Sequence, residues 1–286
     1  MRAIVAPTAV LAALSFGGAS AAGPQFATQV NLVEVYATVT DERGNVVTNL
    51  GREDFDVLED GLRQQVTAFT RGEFPLAAAV AIDRSFSMGA ERLAAAKSAA
   101  RILLGALRPA DEAMVIAIGS EIEALAPLST DRRAQYRAVD GLDRWGTTSL
   151  HDAIIEALNA IQPARGRRAL VLLSDGDDRY SEASAGDALA RARNADVLIY
   201  PIAISARRPP LFSELAALTG GRSAHLRDAR ALPQALREIA EELRHQYLLG
   251  YTPTRPLDDR GEWRAITVRV RKPGLQVRAR DGYLVH

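Results

Sequence analysis

Leu76-Ala77-Ala78-Ala79-Val80-Ala81-Ile82 is an unbroken apolar run, and Asp83-Arg84-Ser85-Phe86-Ser87 closes it. A run of this length with no polar side chain reads as a strand buried on both faces, as in a parallel sheet covered by helices. An acid and two hydroxyls then sit on a tight loop at the strand's end. Hard oxygen donors in that setting suit Mg²⁺ or Mn²⁺ rather than a soft metal. Alone, D-x-S-x-S is a weak signal, because Ser and Asp after a strand often only cap a helix or bond a turn.

The pattern repeats outward from this strand. Apolar strands are expected at 76–82, 114–118, 169–173 and 197–204. Between them lie amphipathic stretches. The first places Leu93, Ala96, Ala100, Leu103, Leu104 and Leu107 at helical spacing, and further helices fit 132–141, 149–161, 183–194, 211–218 and 231–247. Strand–helix alternation predicts a doubly wound, mostly parallel α/β sheet, whose ligands bind at the carboxyl ends of the strands near the switch point.

On both sides of this unit the period is two. Val33, Val35, Ala37 and Val39 alternate with polar residues, 55–58 runs into the turn Glu59-Asp60-Gly61, and 65–69 is expected to return as a hairpin. After Tyr247, Ile266, Val268 and Val270 alternate with Thr267, Arg269 and Arg271; Pro273-Gly274 turns the chain into Leu275, Val277 and Ala279. An isolated hairpin is marginal in water. The two flanks are therefore expected to pair into one small β-sandwich, with the α/β unit inserted into it. The expected division is a leader at 1–21, N-terminal β-strands at 22–74, the α/β unit at 75–245 and C-terminal β-strands at 246–286.

Two later segments join the first loop: Trp145-Gly146-Thr147-Thr148-Ser149-Leu150-His151-Asp152, and Ser174-Asp175-Gly176 after the apolar 169–173. Together the three resemble the metal-ion-dependent adhesion site (MIDAS) of von Willebrand factor A-type domains. Asp83, Ser85 and Ser87 match its first loop, Thr148 its second and Asp175 its third. Thr147 is the competing choice for the threonine; it stands where the bacterial pattern G-G-T-x-L-Y-D has Gly, and His151 stands where that pattern has Tyr. The flanks Val57-Leu58-Glu59-Asp60-Gly61, Gln246-Tyr247-Leu248-Leu249-Gly250-Tyr251 and Arg280-Asp281-Gly282-Tyr283 resemble exported bacterial relatives of this family first noticed in Acidobacteria.

The resemblance implies a cofactor, Mg²⁺ (or Mn²⁺ or Ca²⁺), held by Asp83, Ser85, Ser87, Thr148 and Asp175, with an open position for an Asp or Glu carboxylate of a protein partner. Phe86, Arg144, Trp145 and Asp177 would form the partner-contacting rim, since aromatic and Arg side chains suit interface anchors. Asp177 and Asp178 are also weighed as extra ligands, and Asp152 is expected to cap or pair on its own helix. Such domains can switch affinity by moving their last helix. Here that is 231–247, which leads straight into the β-sandwich, so an interdomain coupling is expected.

Composition bounds the alternatives. The 286 residues carry 35 basic and 35 acidic side chains and no cysteine, which excludes disulfides and thiolate chemistry. Arg2, the apolar stretch 3–16 and the small residues Ala19-Ser20-Ala21 read as a secretory signal, so the mature chain is expected to begin near Ala22, exported to a periplasm or secreted. No other stretch approaches the ~20 apolar residues that span a bilayer. Arg264, Arg269, Arg271, Lys272, Arg278 and Arg280 are expected on a solvated strand face rather than a nucleic-acid face. A metal-dependent hydrolase is the rival from another class. His151 is the one histidine near the motif loops, and no H-E-x-x-H, G-x-S-x-G or phosphate loop accompanies it, so a binding protein is favoured over an enzyme. A third reading has the metal merely staple the loops of a structural envelope subunit.

Overall fold

The computed structural model describes residues 32–72, 74–257 and 260–285; the expected leader lies outside the described residues. The strands and helices follow in the order β1 (Val33–Asp41), β2 (Phe55–Glu59), β3 (Leu62–Gln64), β4 (Val66–Arg71), β5 (Leu76–Asp83), α1 (Gly89–Ala106), β6 (Glu112–Ile118), β7 (Ile122–Ser129), α2 (Arg132–Asp140), α3 (Leu150–Ile161), β8 (Arg167–Ser174), α4 (Ala185–Arg193), β9 (Leu198–Ile204), α5 (Pro210–Thr219), β10 (Ala224–Leu226), α6 (Leu232–Arg244), β11 (Tyr247–Tyr251), β12 (Trp263–Val270), β13 (Leu275–Arg278) and β14 (Gly282–Leu284).

β5 is buried at every position and is the centre of the α/β unit. Its even-numbered side chains, Leu76 to Ile82, pack with Leu103 of α1 and Leu236 and Ile239 of α6. Its odd-numbered alanines pack with Ile154 and Leu158 of α3 and Phe212 of α5. Strands with two apolar faces and helices on each side make the doubly wound sheet that the sequence predicts. The strand order is β10-β9-β8-β5-β6-β7, parallel except for the β6–β7 hairpin. From β5 the chain moves to β6 and β7 on one side, then returns to β8 on the other. The switch point therefore falls beside β5, where such sheets bind ligands.

The flanks interleave into two four-stranded sheets, β13-β1-β11-β4 and β14-β12-β2-β3. Val35, Ala37 and Val39 of β1 face Phe55 and Val57 of β2, with Tyr247, Leu249 and Ile266 completing one core. N- and C-terminal strands alternate in the first sheet and meet at the β12–β2 pair in the second, so neither flank could form the sandwich alone.

Three details depart from the sequence reading. The return strand after Gly61 is the short β3, pairing Val57 with Gln64; β4, which holds 66–69 of the expected 65–69, crosses to the other sheet and pairs with β11. The strands β7 and β10 carry no continuous apolar run and were not anticipated. Arg264 is not on a solvated face: it is 0% exposed. Its guanidinium donates to Glu59 Oε1 at 3.1 Å and to the carbonyls of Arg255 and Pro256. The Tyr251 and Tyr283 hydroxyls donate to Glu59 Oε2 at 2.8 and 2.9 Å. Burial, reinforced by Glu59, pushes the Tyr251 hydroxyl far up, so it stays a donor. Arg271, Lys272, Arg278 and Arg280 pair with Asp56, Asp54, Glu242 and Asp196, so these cations are engaged within the chain.

Glu59→Ala would remove the buried carboxylate shared by Arg264, Tyr251 and Tyr283, leaving Arg264 only the longer ion-pair contact to Glu262 at 3.4 Å. Breaking one half of a buried pair costs about 3–5 kcal/mol. Urea unfolding is expected to show a loss of that size, with a smaller loss for Glu59→Gln.

Candidate functional site

The register of β5 against β8 builds the site. Ile82 lies opposite Leu173, which sets Asp83 beside Ser174 and places Asp175 one residue further along the neighbouring strand end. The Ser174 hydroxyl donates to Asp83 Oδ2 at 2.7 Å, and the Ser85 N–H donates to Asp83 Oδ1 at 2.9 Å. Both acids are out of solvent, Asp83 at 0% and Asp175 at 7% exposure. Desolvation pushes the Asp83 carboxyl up to about 6; the hydrogen bonds from Ser174 and Ser85 oppose this, and repulsion from Asp175 adds to it. Ser85 is buried, Ser87 is exposed, and their hydroxyls lie 3.1 Å apart.

The second loop connects α2 to α3 and is laced to the first. Trp145 N–H donates to the Arg84 carbonyl at 2.8 Å, and Phe86 N–H to the Gly146 carbonyl at 3.1 Å. Gly146 has φ +76°, and a Cβ there would meet Ser120 N at 2.7 Å, so only glycine allows the crossing. The two threonines differ in state. Thr147 is exposed, and its hydroxyl lies 3.1 Å from Ser120 Oγ. Thr148 is 1% exposed, and its Oγ1 has no hydrogen-bond partner among the described residues. Its carbonyl accepts from the Arg179 and Tyr180 N–H groups at 3.0 and 3.1 Å, which fixes the third loop against the second.

The other acids have structural employment. Asp178 Oδ1 accepts from Leu150 N–H at 2.7 Å, His151 N–H at 3.3 Å and the Ser181 hydroxyl at 2.6 Å, so it caps α3 from the third loop. Asp152 does not serve its own helix. It accepts from Glu182 and Ala183 N–H, both at 2.9 Å, and ties the third loop down. Asp177 is exposed and reaches Arg179 at 3.2 Å. His151 Nδ1 lies 3.1 Å from the Ala183 carbonyl and 3.6 Å from Asp178. That leaves Asp83, Asp175, Ser85, Ser87 and Thr148 as oxygen donors on three interlaced loops. Among the described residues no three His, Cys, Asp or Glu side chains form a metal-binding group; here two acids are joined by three hydroxyls. Two buried carboxylates and one buried hydroxyl without a partner are the features that a hard cation would satisfy.

A sequence profile for the von Willebrand factor type A domain matches residues 79–177, the stretch that carries all three loops. The α/β unit is a von Willebrand factor A-type domain. The structure of a von Willebrand factor type A protein from Catenulispora acidiphila superposes with a TM-score of 0.53 at 14% identity, covering 87% of this chain and 74% of that one. That coverage extends beyond the α/β unit into the flanking strands. The vWF domain of the type V pili tip protein Mfa5 from Porphyromonas gingivalis gives 0.51 at 12% identity, covering 59% and 95%. The PilB minor pilin from Streptococcus sanguinis gives 0.50 at 12% identity, covering 60% and 62%. At these identities the likeness speaks for the fold. No curated protein matches the chain in sequence.

Around the three loops the A-type domain exposes aromatic surface. Phe86, Trp145 and Tyr180, one from each loop, are 63%, 38% and 65% exposed. Arg144 and Asp177 are exposed beside them. Tyr180 was not singled out from the sequence; it follows Asp175 by five residues in a stretch that is otherwise polar. Arg84 was missed as well. It is 8% exposed, pairs with Glu123 at 2.8 Å and Asp143 at 3.5 Å, and lies 5.2 Å from the Trp145 ring, where it props that ring up. No helix among the described residues is long and apolar enough to cross a membrane.

Asp178 and Asp177 are neighbours with different work, and substitution separates them. Loss of the α3 cap in Asp178→Ala is expected to cost about 1–2 kcal/mol. Asp177→Ala should stay within about 0.5 kcal/mol of the parent. Thermal unfolding in EDTA reads both.

Proposed function

We propose that this protein is a divalent-metal-dependent protein-binding module, exported to a periplasm or secreted. Asp83, Ser85, Ser87, Thr148 and Asp175 would hold Mg²⁺, Mn²⁺ or Ca²⁺, and the partner would supply an Asp or Glu carboxylate. The observation that carries this reading is the buried, partnerless Thr148 hydroxyl, set on the same loop cluster as two buried acids. Leaving such a hydroxyl unsatisfied costs about 1–3 kcal/mol, so the fold carries a penalty that a ligand on this spot would relieve.

The donor count supports recognition. Two carboxylates balance a divalent charge, and three neutral hydroxyls supply hard oxygens without cancelling it further. Mg²⁺ prefers six oxygens in octahedral array, so five side chains leave room for an outside donor. A bound cation would supply electrophilic attraction for that donor; the chain's own residues orient it and, through Phe86, Trp145 and Tyr180, shield it from water. A pure staple is disfavoured because the loops are already held without an ion, by Ser174 on Asp83, Asp178 on α3 and Asp152 on the third loop. Hydrolysis is disfavoured because His151 is anchored to the third loop, 3.1 Å from the Ala183 carbonyl, and the neighbouring Ser181 hydroxyl is committed to Asp178 at 2.6 Å rather than to the imidazole. The exported state rests on the basic, apolar and small-residue segments of 1–21, and N-terminal sequencing of the native protein should start near Ala22.

Thr148→Val tests the assignment in two directions. In EDTA the variant is expected to be more stable than the parent by about 1 kcal/mol, because a useless buried hydroxyl is gone. With Mn²⁺ at a hundred times its dissociation constant, the parent should gain about 2.7 kcal/mol and the variant much less. Pull-down from the native cell envelope should recover a partner with Mg²⁺ or Mn²⁺, and none with EDTA or Asp83→Ala. A variant that melts like the parent in EDTA yet keeps full metal-dependent capture would refute the ligand set.

A further inference from the structure

Next to the loop cluster lies a cleft of about 500 Å³, with Asp175 on one wall and Arg92, Arg207 and Arg208 around it. That volume is in the range of ordinary ligand sites. Arg92 donates from Nη1 to the Ser87 carbonyl at 3.4 Å, which ties its guanidinium to the loop of a proposed metal ligand. Arg207 and Arg208 are exposed and stand on a built turn: the Ser205 hydroxyl donates to the Arg207 carbonyl at 2.6 Å. The same turn is locked against the third loop. Gly176 has φ +84°, and a Cβ there would overlap Pro209 Cγ at 2.1 Å. The acids that share the cleft do not answer these cations, since Asp177 reaches Arg179 and Asp178 caps α3. None of the three arginines has an ion-pair partner among the described residues.

Three unmatched guanidiniums beside a site read as cation-binding would only repel the ion, unless an anion enters between them. We propose that the cleft grips a second carboxylate of the same partner, so that the ligand is an acidic protein segment with at least two Asp or Glu residues. One carboxylate meets the metal and the next meets Arg92, Arg207 and Arg208. This rests on the metal-dependent reading above and adds the partner's chemistry to it. The planar guanidinium fork matches a carboxylate two bonds at a time. The cleft's apolar wall, Pro209 and Leu211, together with the exposed Phe86, Trp145 and Tyr180, suits the side chains that flank acids in a polypeptide. A positive field over a cleft also speeds the approach of an acidic partner, and salt weakens it.

The test uses the full mature chain and fluorescein-labelled Gly/Ser peptides that differ only in bearing one, two or three spaced glutamates, read by anisotropy in Mn²⁺. The two- and three-glutamate peptides are expected to bind at least about ten-fold more tightly than the one-glutamate peptide, with the gap closing as ionic strength rises. The Arg207→Ala/Arg208→Ala double variant should bind all peptides with the one-glutamate affinity and keep the parent's melting temperature. EDTA and Asp83→Ala should abolish binding of every peptide. Metal-dependent binding that ignores the number of glutamates overturns the inference and leaves the metal site standing. Binding that ignores EDTA yet falls in the double arginine variant overturns the metal reading and the two-point grip with it. Tighter capture of polygalacturonate than of the three-glutamate peptide overturns the assignment to a protein segment.

Discussion

The pairing of β5 with β8 is the constraint from which the rest follows. Both strands are apolar on both faces, so a slip of one residue would exchange the two helix layers and lose the packing of each. With the register fixed at Ile82 opposite Leu173, two carboxylates end on adjacent strand termini and must coexist in a dry pocket. Hydrogen bonds from Ser174 and Ser85 partly answer Asp83, but among the described residues no cationic side chain forms an ion pair with either acid. Arg84, the nearest in sequence, turns away to Glu123 and Asp143. Burying acid without a basic partner is expensive. Here it is concentrated at one point of the fold, with a partnerless threonine hydroxyl beside it.

Around that point, polar side chains are divided between two kinds of work. Ser120, Asp152, Asp178 and Ser181 bond backbone N–H groups across loops. They hold the loops to a geometry that does not depend on an ion. The five candidate donors are then left with few internal obligations. A site arranged in advance loses less entropy on binding than one assembled by its ligand. The exposed aromatics can contribute for the same reason: Trp145 is propped by Arg84, and Phe86 and Tyr180 sit on loops already tied by backbone bonds.

The sheet and the three loops at its carboxyl edge were legible because their signals are local. A continuous apolar run declares a buried strand, and an acid at its end declares where the sheet presents chemistry. β7 and β10 were not legible: β7 is an edge strand with Pro127 in it, and β10 has three half-buried residues. The misplacement of Arg264 has a different origin. Alternation put it on a strand face, but its partner Glu59 lies 205 residues away, and only the closed sandwich brings the two together. Resemblance alone favoured Thr148 over Thr147, and the different surroundings of the two appear only in the fold. Neighbouring threonines on one loop differ only in that one finds Ser120 and the other turns inward. Asp178 could not be distinguished from a ligand by sequence, because its cap partners are on another element.

Sheet polarity also governs how the α/β unit is held. Entry and exit strands β4 and β11 pair directly, Arg71 opposite Tyr247, so the insertion hangs from a two-stranded stem at the amino end of β5. The loop cluster is at the other end, eight residues away, roughly 25 Å at the rise of a parallel strand. Between stem and sheet, Gln246 accepts from Arg167 at 2.9 Å and donates to Thr38 at 2.9 Å. Burial lowers the Arg167 guanidinium to about 10, still charged at neutral pH. Gln246 follows α6 by two residues, so sliding that helix would pull on the one hydrogen bond that Gln246 accepts from the buried Arg167 cation. Hydrogen bonds to charged groups contribute about 1.5–3 kcal/mol each, a cost that any displacement of α6 must meet. Coupling between the loop cluster and the sandwich through this helix therefore has to be driven by a partner whose binding differs between the two positions by at least that amount.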